Sequence, residues 1–205
     1  MIMDQLSIKH FVKAFELQKK FSDLLIKHQV HFRGNLNSLS LISLHKDKPE
    51  LGVKCGKHQI WTEEIVLSYI KRIESKPNPQ RPTPEKSLQA WIIRKSIENN
   101  HFLTFDNSIR FITSELAFQD NIIGKVVNDI IGYNIKTGQL VIIELKSKRG
   151  LSRLIEQVEN FEIIINKNKV FYDQLAHLHG FQIKNDPLKI IVWPKPKKFS
   201  LSDLK

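Results

Sequence analysis

Apolar positions in residues 4–30 recur at helical spacing. Ile8, Phe11, Val12 and Phe15 make one stripe, and Phe21, Leu24 and Leu25 resume it in a slipped register, which predicts helix throughout. From Ser38 to Leu44 the pattern changes to alternation, the sign of a half-buried strand, until Lys46-Asp47-Lys48-Pro49 breaks it. Gly52 to Trp61 is then expected as a second strand. Thr62 suits an N-cap, Glu63 and Glu64 lie where a helix carries its positive end, and Val66, Tyr69, Ile70 and Ile73 continue at helical spacing.

The stretch from Lys76 to Pro84 holds four of the eight prolines, which can continue neither a helix nor a central strand. Residues 77–84 are therefore expected as a linker between an N-terminal accessory region, 1–76, and a second domain, 85–205. Thr83 as N-cap with Pro84 and Glu85 behind it starts a helix carried by Leu88, Trp91, Ile92 and Ile97. Three runs rich in β-branched residues follow: Ile109 to Phe118, Lys125 to Asn134 and Gln139 to Lys146. Ile135-Lys136-Thr137-Gly138 between the last two has the length and glycine of a hairpin loop. Leu151, Leu154, Ile155, Val158, Phe161 and Ile165 predict an amphipathic helix. Val170–Leu178 predicts another, and Leu188 to Trp193 a closing strand. The order of elements argues for an α/β or α+β fold.

Composition narrows the chemistry. The single cysteine, Cys55, removes disulfide scaffolds, zinc fingers and iron–sulfur clusters, and fits a reducing, cytoplasmic setting. The first residues lack a basic segment followed by an apolar one, and no run approaches the roughly 18 apolar residues of a membrane span, so neither export nor a membrane is expected. Lys and Arg number 32 against 21 Asp and Glu, a net charge of +11 with bases in excess in both halves. Such a balance suits a polyanionic partner, because neutralised phosphates release counterions; it also serves plain solubility. His28, His31, His177 and His179 have no cysteine beside them and read as surface or core residues rather than ligands. Trp61, Trp91 and Trp193 sit in apolar patterns and are expected in the core rather than stacked on bases. No glycine-rich phosphate loop and no nucleophile elbow is present.

One cluster is costly unless it is used. Strand residues two apart share a face, so Glu144 and Lys146 project together from the end of Val141-Ile142-Ile143-Glu144-Leu145-Lys146. If Asn134 faces Gln139 across the loop, the hairpin register sets Asp129 opposite Glu144, with Cβ atoms about 5 Å apart. Opposed carboxylates repel unless a cation sits between them, and hard oxygen ligands plus water suit Mg²⁺ or Mn²⁺. A slip of one residue would destroy this geometry.

These residues resemble the PD-(D/E)xK, or restriction-endonuclease-like, nuclease superfamily, in the variant whose motif runs Asp…Glu-x-Lys with a later Gln: Asp129, Glu144, Lys146 and Gln157. Glu115 falls where many members carry another acidic residue on the preceding strand, and Glu85 matches an acidic residue on the first core helix. The layout of 83–193 is most similar to the nuclease domain of the NucS/EndoMS type, while residues 1–76 resemble no known family. Asn128 stands where the proline of the motif's name would be. The resemblance implies a mixed central sheet flanked by helices, preceded by a smaller α+β region. It further implies a metal-dependent nuclease acting on DNA, with Mg²⁺ (or Mn²⁺) on Asp129, Glu144 and the main-chain carbonyl of Leu145, and Glu115 assisting. Lys146 would act on the attacking water, Gln157 would orient the site, and Lys148, Arg149 and Arg153 would bind phosphates. A homodimer would supply two sites for two strands. A catalytically silent nucleic-acid-binding module of the same fold, and a basic subunit that binds a protein partner, are the competing readings.

Overall fold

The computed structural model describes residues 7–78, 83–146 and 151–192, with side chains from residue 155 onward in the last segment. The slipped register near the N-terminus is resolved as two helices, α1 (Lys9–Lys20) and α2 (Ser22–Lys27), which meet at Phe21. Phe21 leaves helical geometry but is 6% exposed, so the break turns the apolar stripe inward again. Next comes an antiparallel sheet in the order β1 (Val30–Gly34), β2 (Leu39–Ser43), β3 (Gly52–Lys54). Strand β1 was not foreseen, and β3 is far shorter than Gly52 to Trp61: Trp61 leaves the strand and buries its ring edge-on against Phe32 and stacked on Tyr69. Helix α3 (Glu63–Glu74) starts at Thr62, whose hydroxyl accepts from the Ile65 N–H, as expected. Leu17, Leu25, Leu41, Val66 and Ile70 fill the core among these elements, each such burial contributing about 1.5–3 kcal/mol. Gly34 is required where α1 crosses β1, because a Cβ there would lie 2.6 Å from the His10 carbonyl oxygen and the Phe11 backbone.

Helix α4 (Pro84–Glu98) is capped by Thr83, which accepts from the Lys86 N–H. It precedes a five-stranded sheet of β4 (Phe102–Leu103), β5 (Asp106–Asp120), β6 (Gly124–Asn134), β7 (Gln139–Leu145) and β8 (Asn185–Val192), in that spatial order. Strands β4 to β7 pair antiparallel and β8 joins β7 in parallel, so the sheet is mixed. The parallel pair needs a crossover, which α5 (Leu151–Lys167) and α6 (Lys169–Leu178) supply.

Helices cover both faces of this sheet. Leu140 and Ile142 of β7 pack with Phe161, Ile164, Phe171 and Tyr172 of α5 and α6, while Val141, Ile143 and Leu145 pack with Ala90, Ile92 and Ile93 of α4. That two-sided burial is why β7 reads as a continuous apolar run. Phe11 of α1 joins the first of these cores and Leu44 the second, so the N-terminal elements pack on the sheet. Trp91 corrects the expectation of a core tryptophan: on the outer side of α4 it is 44% exposed, and Trp193 lies outside the described residues. The chain is thus a mixed α+β protein whose five-stranded sheet is flanked by helices. No helix among the described residues is long and apolar enough to cross a membrane.

Candidate active site

The hairpin of β6 and β7 pairs Asn134 with Gln139 and runs in unbroken register to Ile130 and Ile143. The loop is held by Asn134 Oδ1, which accepts from the N–H groups of Lys136 and Thr137, and by Gly138 in the left-handed region. Asp129 and Glu144 are the next residues across. Here the ladder stops, and the Leu145 N–H donates to Asp129 Oδ2 at 2.8 Å. A side chain thus takes the backbone's place in the pairing.

The same position is irregular toward β5. Ser114 pairs with Ile130 and Leu116 with Asn128, bracketing Glu115 and Asp129, and Glu115 has φ +51°. Side-chain alternation along β6 breaks at this point as well, because Val126 and Ile131 belong to one core although they are an odd number of residues apart. A positive φ outside glycine costs of order 1 kcal/mol or more and persists only where surrounding structure enforces it. Glu115, Asp129 and Glu144 thus come from neighbouring positions of three adjacent strands, at a shared interruption of the sheet. The β6–β7 register was legible in the sequence. The interruption was not, because nothing in residue type marks it.

Burial then sets the electrostatics. Glu144 is 2% exposed. Its carboxyl is pushed up to about 7, mainly by burial and next by the charge of Asp129, against the opposing pull of Lys146. Asp129 is pushed up to about 6, again chiefly by burial. The Leu145 N–H and Lys146 oppose the shift, while the charges of Glu115 and Glu85 add to it. Lys146 Nζ donates to Glu144 Oε1 at 2.7 Å, and Glu144 Oε2 is buried with no hydrogen-bond partner among the described residues. Gln89 of α4, which sequence reasoning missed, donates to the Asp129 main-chain carbonyl at 2.9 Å and ties that helix to the site.

The structure therefore brings Asp129, Glu144 and Lys146 together and sets Glu115 and Glu85 within electrostatic reach of Asp129. Gln157 is half-buried on α5, and among the described residues no hydrogen bond joins it to the cluster. Lys148 and Arg149 lie outside the described residues, as does the side chain of Arg153. From the N-terminal region Arg33 Nη1 pairs with Glu50 at 2.5 Å and reaches Ser114 Oγ at 3.5 Å, beside Glu115.

Among the described residues no three His, Cys, Asp or Glu side chains are grouped so as to hold a metal ion. A divalent ion held by two carboxylates, a main-chain carbonyl and water needs no third such side chain. The donor set fits such an ion: the oxygens are hard, and the orphaned Glu144 Oε2 lacks the partner that a buried carboxylate requires. Comparison with known proteins finds no family model, no curated protein and no solved structure that matches the chain.

Proposed function

We propose that this protein is a metal-dependent nuclease that hydrolyses phosphodiester bonds in DNA, on a restriction-endonuclease-like core. The observation that carries the reading is the placement of Asp129 beside Glu144, both raised toward neutrality, with Lys146 on the carboxylate. Titratable groups perturbed together at an interrupted sheet are the kind of feature that functional sites produce. Opposed carboxylates also make poor sense in a surface that only binds phosphates, since they repel them.

On this reading Asp129, Glu144 and the Leu145 carbonyl would hold Mg²⁺ or Mn²⁺, with Glu115, whose charge acts on Asp129, assisting. The ion supplies Lewis acidity and lowers the pKa of bound water. Lys146, which donates to Glu144 Oε1, would orient the attacking water and stabilise charge on the phosphate. Water's oxygen would bond to phosphorus as the bond to the leaving oxygen breaks, the attacking water giving up one proton to solvent and the leaving oxygen taking one up. The net charge of +11 holds the backbone by many weak contacts.

The test is a cleavage screen on plasmid, forked and mismatched DNA with Mg²⁺ or Mn²⁺, with Asp129→Ala as control. Nicking that needs the ion and vanishes in the variant supports the proposal. Salt-sensitive DNA binding without nicking would favour a silent binding module, and absence of such binding would favour a protein-binding subunit.

A further inference from the structure

A cavity lies away from these carboxylates. It encloses about 470 Å³ between α1, β1, the end of α4, β5 and the residue that follows α6. That volume falls in the range of small-molecule sites, which are mostly apolar with a few converging polar groups. Its apolar wall includes Phe11, Phe15, Phe32 and Phe111. Among the described residues the ionisable groups of the wall are Lys19, His31, His101, Arg110 and His179, with no Asp or Glu.

Among the described residues two of these groups lack a hydrogen-bonding or acidic partner. His31 is 2% exposed, yet its Nε2 makes no hydrogen bond among the described residues. That atom has almost no accessible surface, so the ring lies in the cavity wall without offering Nε2 to a ligand. Arg110 has no carboxylate partner among the described residues. Its guanidinium is held instead over the rings of Phe102 and Phe181, at 5.3 and 5.6 Å from their centroids. The imidazoles add no cation that would compete: burial pushes His31 down to about 3 and His179 to about 4, the latter also through His101 and Arg110. They are left as neutral groups around a fixed positive charge.

We infer that this cavity binds a planar aromatic anion, its ring against Phe15, Phe32 and Phe111 and its carboxylate or phosphate on Arg110. A flat ring suits aromatic walls, and a guanidinium matches the oxygens of either anion. A cationic ligand is disfavoured by Arg110 and Lys19. The site needs none of the chemistry assigned to Asp129 and Glu144.

Titration calorimetry on the full chain tests this with paired probes: indole-3-acetate against indole, and adenosine monophosphate against adenosine. At least one anion should bind at one site, with its neutral partner weaker by about tenfold or more, as expected for a charged hydrogen bond. Which pair responds distinguishes a carboxylate ligand from a phosphate one. Arg110→Met, which keeps the packing against Phe102 and Phe181, should weaken the anion about tenfold. Ala14→Phe should abolish binding by filling the cavity, and unchanged circular dichroism would confirm that the variants fold. Neutral and anionic probes of equal affinity, Arg110→Met binding like wild type, or no binding of any probe at millimolar concentration would each overturn the inference.

Discussion

Lys146 Nζ lies 2.7 Å from Glu144 Oε1, on a carboxylate whose other oxygen is buried without a hydrogen-bond partner among the described residues. The pair is lopsided: the Lys146 side chain is 26% exposed and that of Glu144 is 2% exposed. The ammonium can therefore swing into solvent while the carboxylate cannot. A cation that takes over Glu144 would free Lys146 without exposing a buried charge.

Replacing Lys146 by Met separates this role from mere folding. Lys146→Met should retain the divalent ion, because Asp129 and Glu144 remain, and most DNA affinity, because many other bases persist. Single-turnover cleavage should fall by ~10² or more, the scale of losing a group that stabilises the transition state. Cutting at the wild-type rate would remove Lys146 from the mechanism.

The two raised carboxyls also give stability a definite slope with pH. Folding lifts Glu144 from 4.5 to about 7 and Asp129 from 3.8 to about 6. Between these limits the folded protein binds more protons than the unfolded chain. Their contribution is thus full below the unfolded values and lost as pH rises through the folded ones. Glu144→Gln, which keeps the uncharged form, should show a urea midpoint that falls less than wild type between about pH 5 and about pH 8. Divalent-ion affinity should rise over the same window, since the ligands must shed their protons. A wild-type midpoint that climbs across this range would contradict the burial assigned to the pair.

Much of this site was legible because its determinants are local. A four-residue loop with Gly138 and an aspartate-like cap from Asn134 sets the β6–β7 register, and the register carries Asp129 to Glu144. What escaped depends on partners distant in sequence. Strand β1 puts His31 in the core, one of the two places expected for it, but the strand itself escaped because Val30-His31-Phe32-Arg33-Gly34 is too short to show a period of two against the helices before it. The interruption at Glu115 has no glycine to announce a positive φ. Trp91 belongs to the apolar pattern of α4, yet it lies on the outer side because Ala90, Ile92 and Ile93 already fill the sheet-facing side.

Charge predicts how DNA affinity responds to salt. With a net charge of +11 and bases in both halves of the chain, contact with six or more phosphates should cost ~10³ in affinity between low and moderate salt. Fluorescence anisotropy with a labelled duplex, without divalent ions, measures the slope. A nearly flat dependence would deny that the backbone is the partner.

The last prediction joins the N-terminal region to the site through Arg33 and Glu50. The Glu50 side chain is 2% exposed and that of Arg33 16%, so the 2.5 Å pair is largely shielded from water. Removing one partner of such a pair leaves a buried charge and typically costs about 3–5 kcal/mol. Glu50→Ala should therefore destabilise by about that much in urea denaturation. Glu50 also sits at φ +59°, a conformation that glycine adopts without strain. Glu50→Gly should consequently cost about 1 kcal/mol less than Glu50→Ala, although both lose the carboxylate. Arg33 also touches Ser114, the neighbour of Glu115, and the Glu115 charge acts on both Glu50 and Asp129. Both variants should therefore slow cleavage even at temperatures where they are fully folded. If Gly proves as costly as Ala, the backbone at Glu50 is unstrained. If folded variants cleave at the wild-type rate, the ion pair supports the fold alone, and the line from Arg33 through Ser114 to Glu115 carries no influence on the chemistry.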